Sequence, residues 1–250
     1  MRAKIGILAA AVLILVSCLP AAAADGKIIV GVAANYLVPF NEIATLFEKE
    51  RGIKAEPVFA STGKLYAQIV HGAPYDVFLA ADEDRPDRLF NDGLAEKPFV
   101  YALGEVVLWS SSKGVCKKHK SWIDAVSSSG AQKIALANPE TAPYGAAAMA
   151  ALKAAGLADS LKGKFVFPQD IGQAFQYAST GAVDLGFCAL SSTRTPVGEK
   201  GCTFIVEQAP KITQAACVIV STKNRPAAAQ FADFLISPAA VRVKGKYGYR

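Results

Sequence analysis

The amino-acid sequence predicts an α/β fold of two lobes, each lobe a mostly parallel sheet flanked by helices. Short apolar runs rich in β-branched residues alternate with segments of helical apolar spacing, which is typical of doubly wound sheets. The alternation occurs in two series, and just over half of the 250 residues are apolar, enough for two cores. We place lobe 1 at residues 25–104 and 219–250 and lobe 2 at residues 105–218, with the chain crossing near EVVLW and ACVIV.

Residues 1–24 have the pattern of a secretory signal peptide. Arg2 and Lys4 precede a short apolar run, Pro20 ends it, and alanines before Asp25 offer a cleavage site. The apolar run is too short for a good membrane span. Cys18, in LVSC, also fits a lipoprotein cleavage box, so acylation of Cys18 stays open beside the favoured cleavage after Ala24.

The first αβ series follows directly. KIIVGVA is a buried strand, and Ala34, Asn35 and Tyr36 form a turn after it. Apolar spacing predicts a helix over 40–51 that stops at Gly52. The remaining elements are strands over 55–60 and 75–80 and helices over 61–70 and 82–90.

The second αβ series begins near residue 105, where the sequence pattern changes. We predict strands over 105–109, 133–137, 165–167, 183–190, 204–206 and 216–220, and helices over 146–155 and 226–235. A further helix opens at Asp170. We expect a basic loop over 116–120, a turn-rich loop over 138–145 and a short tail over 241–250.

The stretch FASTGKLYAQI joins a strand to a helix and carries the first candidate site. Ser61 and Thr62 stand at the helix start, and Gly63 permits a sharp turn and close approach of a ligand. Free N–H groups and the dipole at a helix start bind anions without a charged side chain. Taken alone, this stretch fits an ordinary N-cap better.

Other joints place neutral groups at the same edge of the predicted sheets. Asn35 follows the first strand, and Tyr144 and Ile171 lie where later segments enter helices. Ligands of open α/β sheets bind beyond the carboxyl ends of strands. Asn35, Ser61, Thr62, Tyr144 and Ile171 together suit a small, fully ionised oxyanion that accepts hydrogen bonds.

The sequence offers little for catalysis, for a metal site or for nucleic acid. His71 and His119 are the only histidines, and no Walker loop, GxGxxG or HExxH is present. Asp82 and Asp84 begin a helix, where the dipole favours acidic residues. The surplus of basic residues is small and spread along the chain, so we expect neither an enzyme nor a nucleic-acid partner.

Four cysteines follow the leader, and an even number in an exported chain suggests disulfides. Cys116 and Cys202 lie in polar segments, and we pair these first. Cys188 and Cys217 lie in apolar runs and are either buried thiols or a second bridge. No CxxC or histidine pairing accompanies them, so a metal site is disfavoured.

Five pieces carry a resemblance to a known family. They are VGVAANYLVPF, FASTGKLYAQIVHGAPYDVFLAAD, ANPETAPYGAAA, QDIGQAF and the closing KYGY. With them, the chain resembles the periplasmic molybdate-binding proteins of ABC uptake systems over nearly all of residues 25–250. The resemblance implies a type II two-lobed fold, a periplasmic monomer that closes on molybdate or tungstate without a cofactor, and an inner-membrane permease as partner.

The resemblance also implies the roles of the site residues. Asn35 matches the first oxyanion donor, Ser61 and Thr62 match a hydroxyl pair, and Tyr144 and Ile171 match backbone N–H donors; the anion is held through its oxygens, with no direct metal ligand. Some members carry a tyrosine where this chain has Ala189, and Tyr144 is then the hydroxyl that can offset the loss. The alternatives are a receptor for another tetrahedral oxyanion such as sulfate, a secreted enzyme on the same scaffold, or a surface interaction module.

Overall fold

The structure, a computed structural model, describes residues 26–250; the signal peptide and the acylation site at Cys18 that the sequence predicts lie outside this range. The first sheet has the order β2-β1-β3-β10-β4. Its strands are β1 (Lys27–Ala33), β2 (Lys54–Ala60), β3 (Val77–Leu79), β4 (Phe99–Gly104) and β10 (Ile212–Val218). β1 is parallel to β2 and β3, whereas β10 is antiparallel to both of its neighbours.

The second sheet has the order β7-β6-β8-β5-β9. Its strands are β5 (Val106–Ser110), β6 (Ile134–Ala135), β7 (Phe165–Val166), β8 (Leu185–Ala189) and β9 (Cys202–Ile205). β6 is parallel to β7 and β8, and β5 is antiparallel to β8 and β9. Each sheet therefore has one reversed strand, β10 or β5, which confirms the predicted mostly parallel lobes. Both reversed strands adjoin the segments that cross between lobes.

The helices cover the faces of the two sheets. They are α1 (Leu37–Arg51), α2 (Thr62–Val70), α3 (Asp84–Asn91), α4 (Lys113–Lys118), α5 (Trp122–Ser127), α6 (Pro143–Ala154), α7 (Ile171–Ser179), α8 (Leu190–Thr193), α9 (Arg225–Leu235) and α10 (Pro238–Lys246). A 3-10 turn, Ala34–Tyr36, links β1 to α1. Within residues 26–250, no helix has the length and apolarity needed to cross a bilayer.

Several segments differ from the sequence prediction. β4, α5 and α10 were not predicted, and the helix α4 occupies most of the predicted basic loop. Ser237 caps α10 by accepting a hydrogen bond from the Ala240 N–H, and Pro238 fits its first turn. The chain also returns to the first sheet at β10, so strand pairing moves the predicted return at residue 219 back to residue 212.

The α6 helix begins earlier than predicted, which changes the setting of one site residue. Pro143 occupies its first position, where a missing N–H costs nothing. Tyr144 therefore lies in the first helical turn and not in a loop. Gly145 follows on the buried side, where a Cβ would collide with the carbonyl of Ala137, so α6 packs closely on the end of β6.

The cysteines are arranged as the sequence suggested. Cys116 and Cys202 form a disulfide that ties α4 to β9, which confirms that pairing. Cys188 and Cys217 are free, buried thiols in β8 and β10. Of the two possibilities left open for them, the structure gives the buried thiols.

Candidate functional site

Four strand-to-helix joints meet at one small cavity between the lobes. The cavity volume is about 10 Å³. The joints contribute all five predicted residues, namely Asn35, Ser61, Thr62, Tyr144 and Ile171. The rest of the wall consists of Ala33, Ala34, Ala81, Ala142, Pro143 and Asp170. The register of β1 on β2 aligns Ala33 with Ala60, which brings the first two joints side by side.

Ser61 and Thr62 present hydroxyl groups from the start of α2. Ser61 occupies the N-cap position with extended backbone, yet its side chain makes no capping hydrogen bond. Thr62 is buried, and its Oγ1 accepts a hydrogen bond from the Ala81 N–H at 3.0 Å. The Ser61 hydroxyl and the Thr62 hydroxyl proton are thus left for another partner, which an ordinary N-cap would not leave.

Tyr144 and Ile171 bring the first turns of α6 and α7 to the cavity. The first N–H groups of a helix have no partner within it. Among residues 26–250, neither the Tyr144 N–H nor the Ile171 N–H has a protein acceptor. At the start of α7, Asp170 Oδ1 accepts a hydrogen bond from the Gln173 N–H at 2.9 Å. The cap therefore pairs the N–H of the third helical residue and leaves the N–H of the first, Ile171, without a partner in the described residues.

Asn35 lies at the cavity, but its side chain is directed into the protein. The Asn35 Nδ2 lies 2.6 Å from Gln214 Oε1, 3.0 Å from the Tyr249 hydroxyl and 3.4 Å from the Tyr144 hydroxyl. Its carbonyl accepts hydrogen bonds from Ser191 Oγ at 2.9 Å and from Tyr249 at 2.8 Å. The side chain is therefore part of a buried network, and the backbone N–H of Asn35 has no protein acceptor within residues 26–250.

This network contains residues that sequence reasoning missed. Gln214, Tyr249 and Ser191 come from β10, the C-terminal segment and α8, and all three are buried. Tyr249 belongs to the closing KYGY, which carries the family resemblance but gives no local sign of this contact. Tyr144 was expected to offset the hydroxyl missing at Ala189, but its hydroxyl contacts Asn35 and lies against Gly104. That hydroxyl is used within the protein.

The site is built almost entirely from neutral groups. Among the described residues, the cavity wall contains no lysine or arginine, and Asp170, which caps α7, is its only charged residue. Burial raises the pKa of Tyr144 well above its usual value, and burial likewise raises the pKa of Tyr249 and Tyr101. These phenols stay protonated at neutral pH, so the network behind the cavity carries no charge.

The lobes are held together around the cavity by direct contacts. The Gly63 N–H of α2 donates to the Thr141 carbonyl at 2.9 Å, and Arg85 Nη2 of α3 donates to the Glu140 carbonyl at 3.1 Å. Asp82 accepts from the Arg85 N–H at 3.1 Å and forms an ion pair with Arg85. Asp82 thus supports the start of α3, as the sequence predicted, and holds the arginine that reaches the other lobe.

Comparison with known proteins gives a consistent result over most of the chain. The family model for bacterial extracellular solute-binding proteins matches residues 28–250. The chain is 38% identical to the molybdate-binding protein ModA of Azotobacter vinelandii, over 92% of each chain. It is 36% identical to ModA of Rhodobacter capsulatus, over 96% of this chain and 94% of that one.

A solved structure shows the same fold. The structure titled Azotobacter vinelandii periplasmic molybdate-binding protein superposes with a TM-score of 0.84 at 34% identity, over 89% of this chain and 98% of that one.

Proposed function

The chain belongs to the bacterial extracellular solute-binding proteins, and from that membership we propose that it captures molybdate outside the cytoplasm and delivers it to the permease of an ABC transporter. The relatives are named as binding proteins, and the role is that of a transport receptor without chemical turnover. The type II two-lobed fold suits this role, because a ligand bound between the lobes is released when they open.

One observation carries the choice of ligand. Neutral donors from four joints converge on a cavity without a basic residue. The backbone N–H groups of Asn35, Tyr144 and Ile171 and the hydroxyls of Ser61 and Thr62 form this donor set. A hydrogen bond to a charged group contributes about 1.5–3 kcal/mol, so several of them can hold a buried dianion without a counter-ion.

The same donor set favours an anion that carries no proton. Thr62 Oγ1 already accepts from Ala81, and backbone N–H groups only donate. A ligand that must donate a proton finds few acceptors there, and a buried donor without a partner costs free energy. Tetrahedral molybdate and tungstate are fully ionised dianions at neutral pH, and we propose that both are ligands.

The finer features of the proposal come from the sequence. We propose export by the signal peptide of residues 1–24, action as a periplasmic monomer, and docking to a permease in the inner membrane. Acylation at Cys18 is the alternative anchor.

Isothermal titration calorimetry tests the ligand. The protein of residues 25–250 is titrated with molybdate, tungstate, sulfate and phosphate in turn. We expect saturable binding of the first two anions at one site per chain. Binding of sulfate or phosphate without any heat from molybdate or tungstate would contradict the proposal and support the receptor for another oxyanion.

A further inference from the structure

The C-terminal segment packs beside the hinge between the lobes. The hinge consists of the two chain crossings, where β4 leads into β5 and where β9 leads into β10. α10 ends at Lys246, and Gly248, with φ of 81°, reverses the chain in a conformation that favours glycine. The N–H and carbonyl of Arg250 then pair with the carbonyl and N–H of Leu103 on β4. This pairing fixes Tyr249 with its side chain buried, immediately beside the first crossing between the lobes.

The Tyr249 hydroxyl connects one lobe to the other. It lies 2.8 Å from the Asn35 carbonyl oxygen and 3.0 Å from Asn35 Nδ2, both in lobe 1. It also lies 3.1 Å from Ser191 Oγ of lobe 2, whose hydroxyl donates to the same Asn35 carbonyl at 2.9 Å. The contacts to Asn35 lie within lobe 1, whereas the contact to Ser191 joins lobe 1 to lobe 2.

Gly104 gives room for a second contact across the hinge. It is the last residue of β4, and a Cβ built on it would overlap the Tyr144 hydroxyl oxygen and lie 3.1 Å from Tyr144 Cζ. Tyr144 belongs to lobe 2. Its phenol therefore fits against the hinge strand only because residue 104 has no side chain.

The same two residues face both the hinge and the cavity. Asn35 and Tyr144 place their side chains in the buried network and leave their backbone N–H groups for the ligand. Tyr144 lies in the first turn of α6, so the contact of its phenol with Gly104 and the position of its N–H at the cavity depend on the same helix end. Asn35 and Tyr144 therefore each contribute both a contact near the hinge and a donor at the cavity.

We propose that Tyr249 and Gly104 are positioning residues for closure, which assemble the oxyanion site without touching the ligand. Closure seats the Tyr144 phenol against Gly104 and brings Ser191 to Tyr249, and these contacts set the free energy of the closed form. The inference rests on the proposed function, since a closed form matters only for a protein that traps its ligand.

The first test compares Tyr249→Phe with Tyr247→Phe in the protein of residues 25–250. The Tyr247 hydroxyl bonds to Glu42 at 2.9 Å, wholly within lobe 1, so its loss is a matched control. Molybdate affinity is measured by calorimetry and dissociation by stopped-flow fluorescence. We expect Tyr249→Phe to bind roughly 10-fold more weakly, mainly through faster dissociation, since one hydrogen bond contributes about 0.5–1.5 kcal/mol net. Equal affinities of the two variants would overturn the role of Tyr249.

The second test uses Gly104→Ala, which should prevent closure without unfolding either lobe. Small-angle X-ray scattering measures the radius of gyration with and without molybdate. We expect the wild type to contract and Gly104→Ala to stay open, with affinity lower by roughly 100-fold or more, because a pocket that cannot close leaves donors from one lobe unused. Adding Tyr144→Phe, which removes the overlapping oxygen and keeps the backbone N–H, should restore part of the contraction.

The outcomes separate this inference from the proposed function. If the wild type does not bind molybdate, the proposed function fails. If the wild type binds and contracts, and Gly104→Ala does the same with equal affinity, the function stands and the closure role of Gly104 is wrong. If Gly104→Ala does not fold, the comparison of Tyr249→Phe with Tyr247→Phe decides the inference.

Discussion

The Oγ1 of Thr62 accepts a hydrogen bond from the backbone N–H of Ala81 at 3.0 Å, so the proton of the Thr62 hydroxyl is left for the cavity. A hydroxyl has one proton to donate and two lone pairs. Because the Ala81 N–H occupies one lone pair, the rotation of this hydroxyl is already restricted before a ligand arrives. The end of β3 thus orients a donor that belongs to α2.

Thr62→Val should therefore affect both stability and binding. The substitution keeps the shape of the side chain, but it leaves the buried Ala81 N–H without a partner, which costs about 1–3 kcal/mol. We expect a lower melting temperature of the ligand-free protein and molybdate binding weaker by roughly 10-fold or more. Thr62→Ser is the matched control and should retain most of both. Wild-type affinity in Thr62→Val would exclude Thr62 as a donor.

Ser61→Ala should separate the two effects. The Ser61 side chain makes no capping bond, so its removal should change the melting temperature of the ligand-free protein little. A serine that did cap α2 would cost about 1 kcal/mol on replacement. We expect the molybdate affinity to fall roughly 10-fold or more. A large drop in melting temperature with unchanged affinity would indicate a structural cap.

The sequence was informative about the joints and about where the chain crosses between lobes, but silent about the buried network beside the crossings. β1, β2 and α2 have strong local patterns, so Asn35, Ser61 and Thr62 could be placed at one edge of a sheet from periodicity alone. The network of Gln214 and Tyr249 could not be predicted in this way. It joins residues far apart in the chain, and no local pattern records which buried polar groups will meet.

The misplaced elements have the same explanation. α10 buries Ala240, Val243 and Lys244, and it is helical because Ser237 caps it and because it packs on α1. The predicted boundary at residue 218 puts most of β10 in lobe 2, but β10 pairs with β3 and β4 of the first sheet, residues far from it in sequence. Tertiary contacts override weak local preference in both cases.

Glu105 should make stability depend on pH. It lies at the first crossing, 2.9 Å from Lys211 of the second crossing, and it also pairs with Arg250. Lys211, and then Arg250, hold the pKa of Glu105 below its usual value. A lowered pKa in the folded state means that the stabilisation is fully present above the unfolded pKa of about 4.3 and is lost as the pH falls through the folded pKa.

We therefore expect the free energy of unfolding of the wild type to exceed that of Glu105→Gln at pH 7, and this difference to shrink toward pH 3. Urea denaturation at a series of pH values measures the free energy of unfolding. Glu207→Gln, which alters an exposed carboxylate of lobe 2 that forms no ion pair within residues 26–250, serves as the control. A difference that stays constant with pH would show that the ion pairs of Glu105 add nothing.

In a thiol assay, the protein of residues 25–250 should show one disulfide and two thiols that are protected from reaction. Burial raises the pKa of Cys217 to about 12 and also raises the pKa of Cys188, so neither forms a reactive thiolate at neutral pH. Ellman's reagent should find no thiol in the native protein and two after denaturation without reductant. Cys116→Ser with Cys202→Ser should lower the free energy of unfolding by about 2–4 kcal/mol. Reaction of the native protein would contradict the buried assignment.

Asn35→Asp should impair binding more than Asn35→Ala, although neither removes the backbone N–H at the cavity. Asn35→Ala deletes the donor that Gln214 Oε1 accepts at 2.6 Å, which loosens the network and lowers affinity moderately. Asn35→Asp replaces that donor with an acceptor and adds a negative charge beside a site for a dianion. Like charges at close range in a poorly solvated site repel strongly. Molybdate titrations at pH 8 and pH 5 measure the effect. The affinity of Asn35→Asp should recover in part at the lower pH, as the carboxyl gains a proton, and that of Asn35→Ala should not change.

Equal affinities for the two variants at both pH values would contradict this prediction. They would mean that a negative charge at position 35 does not act on the site.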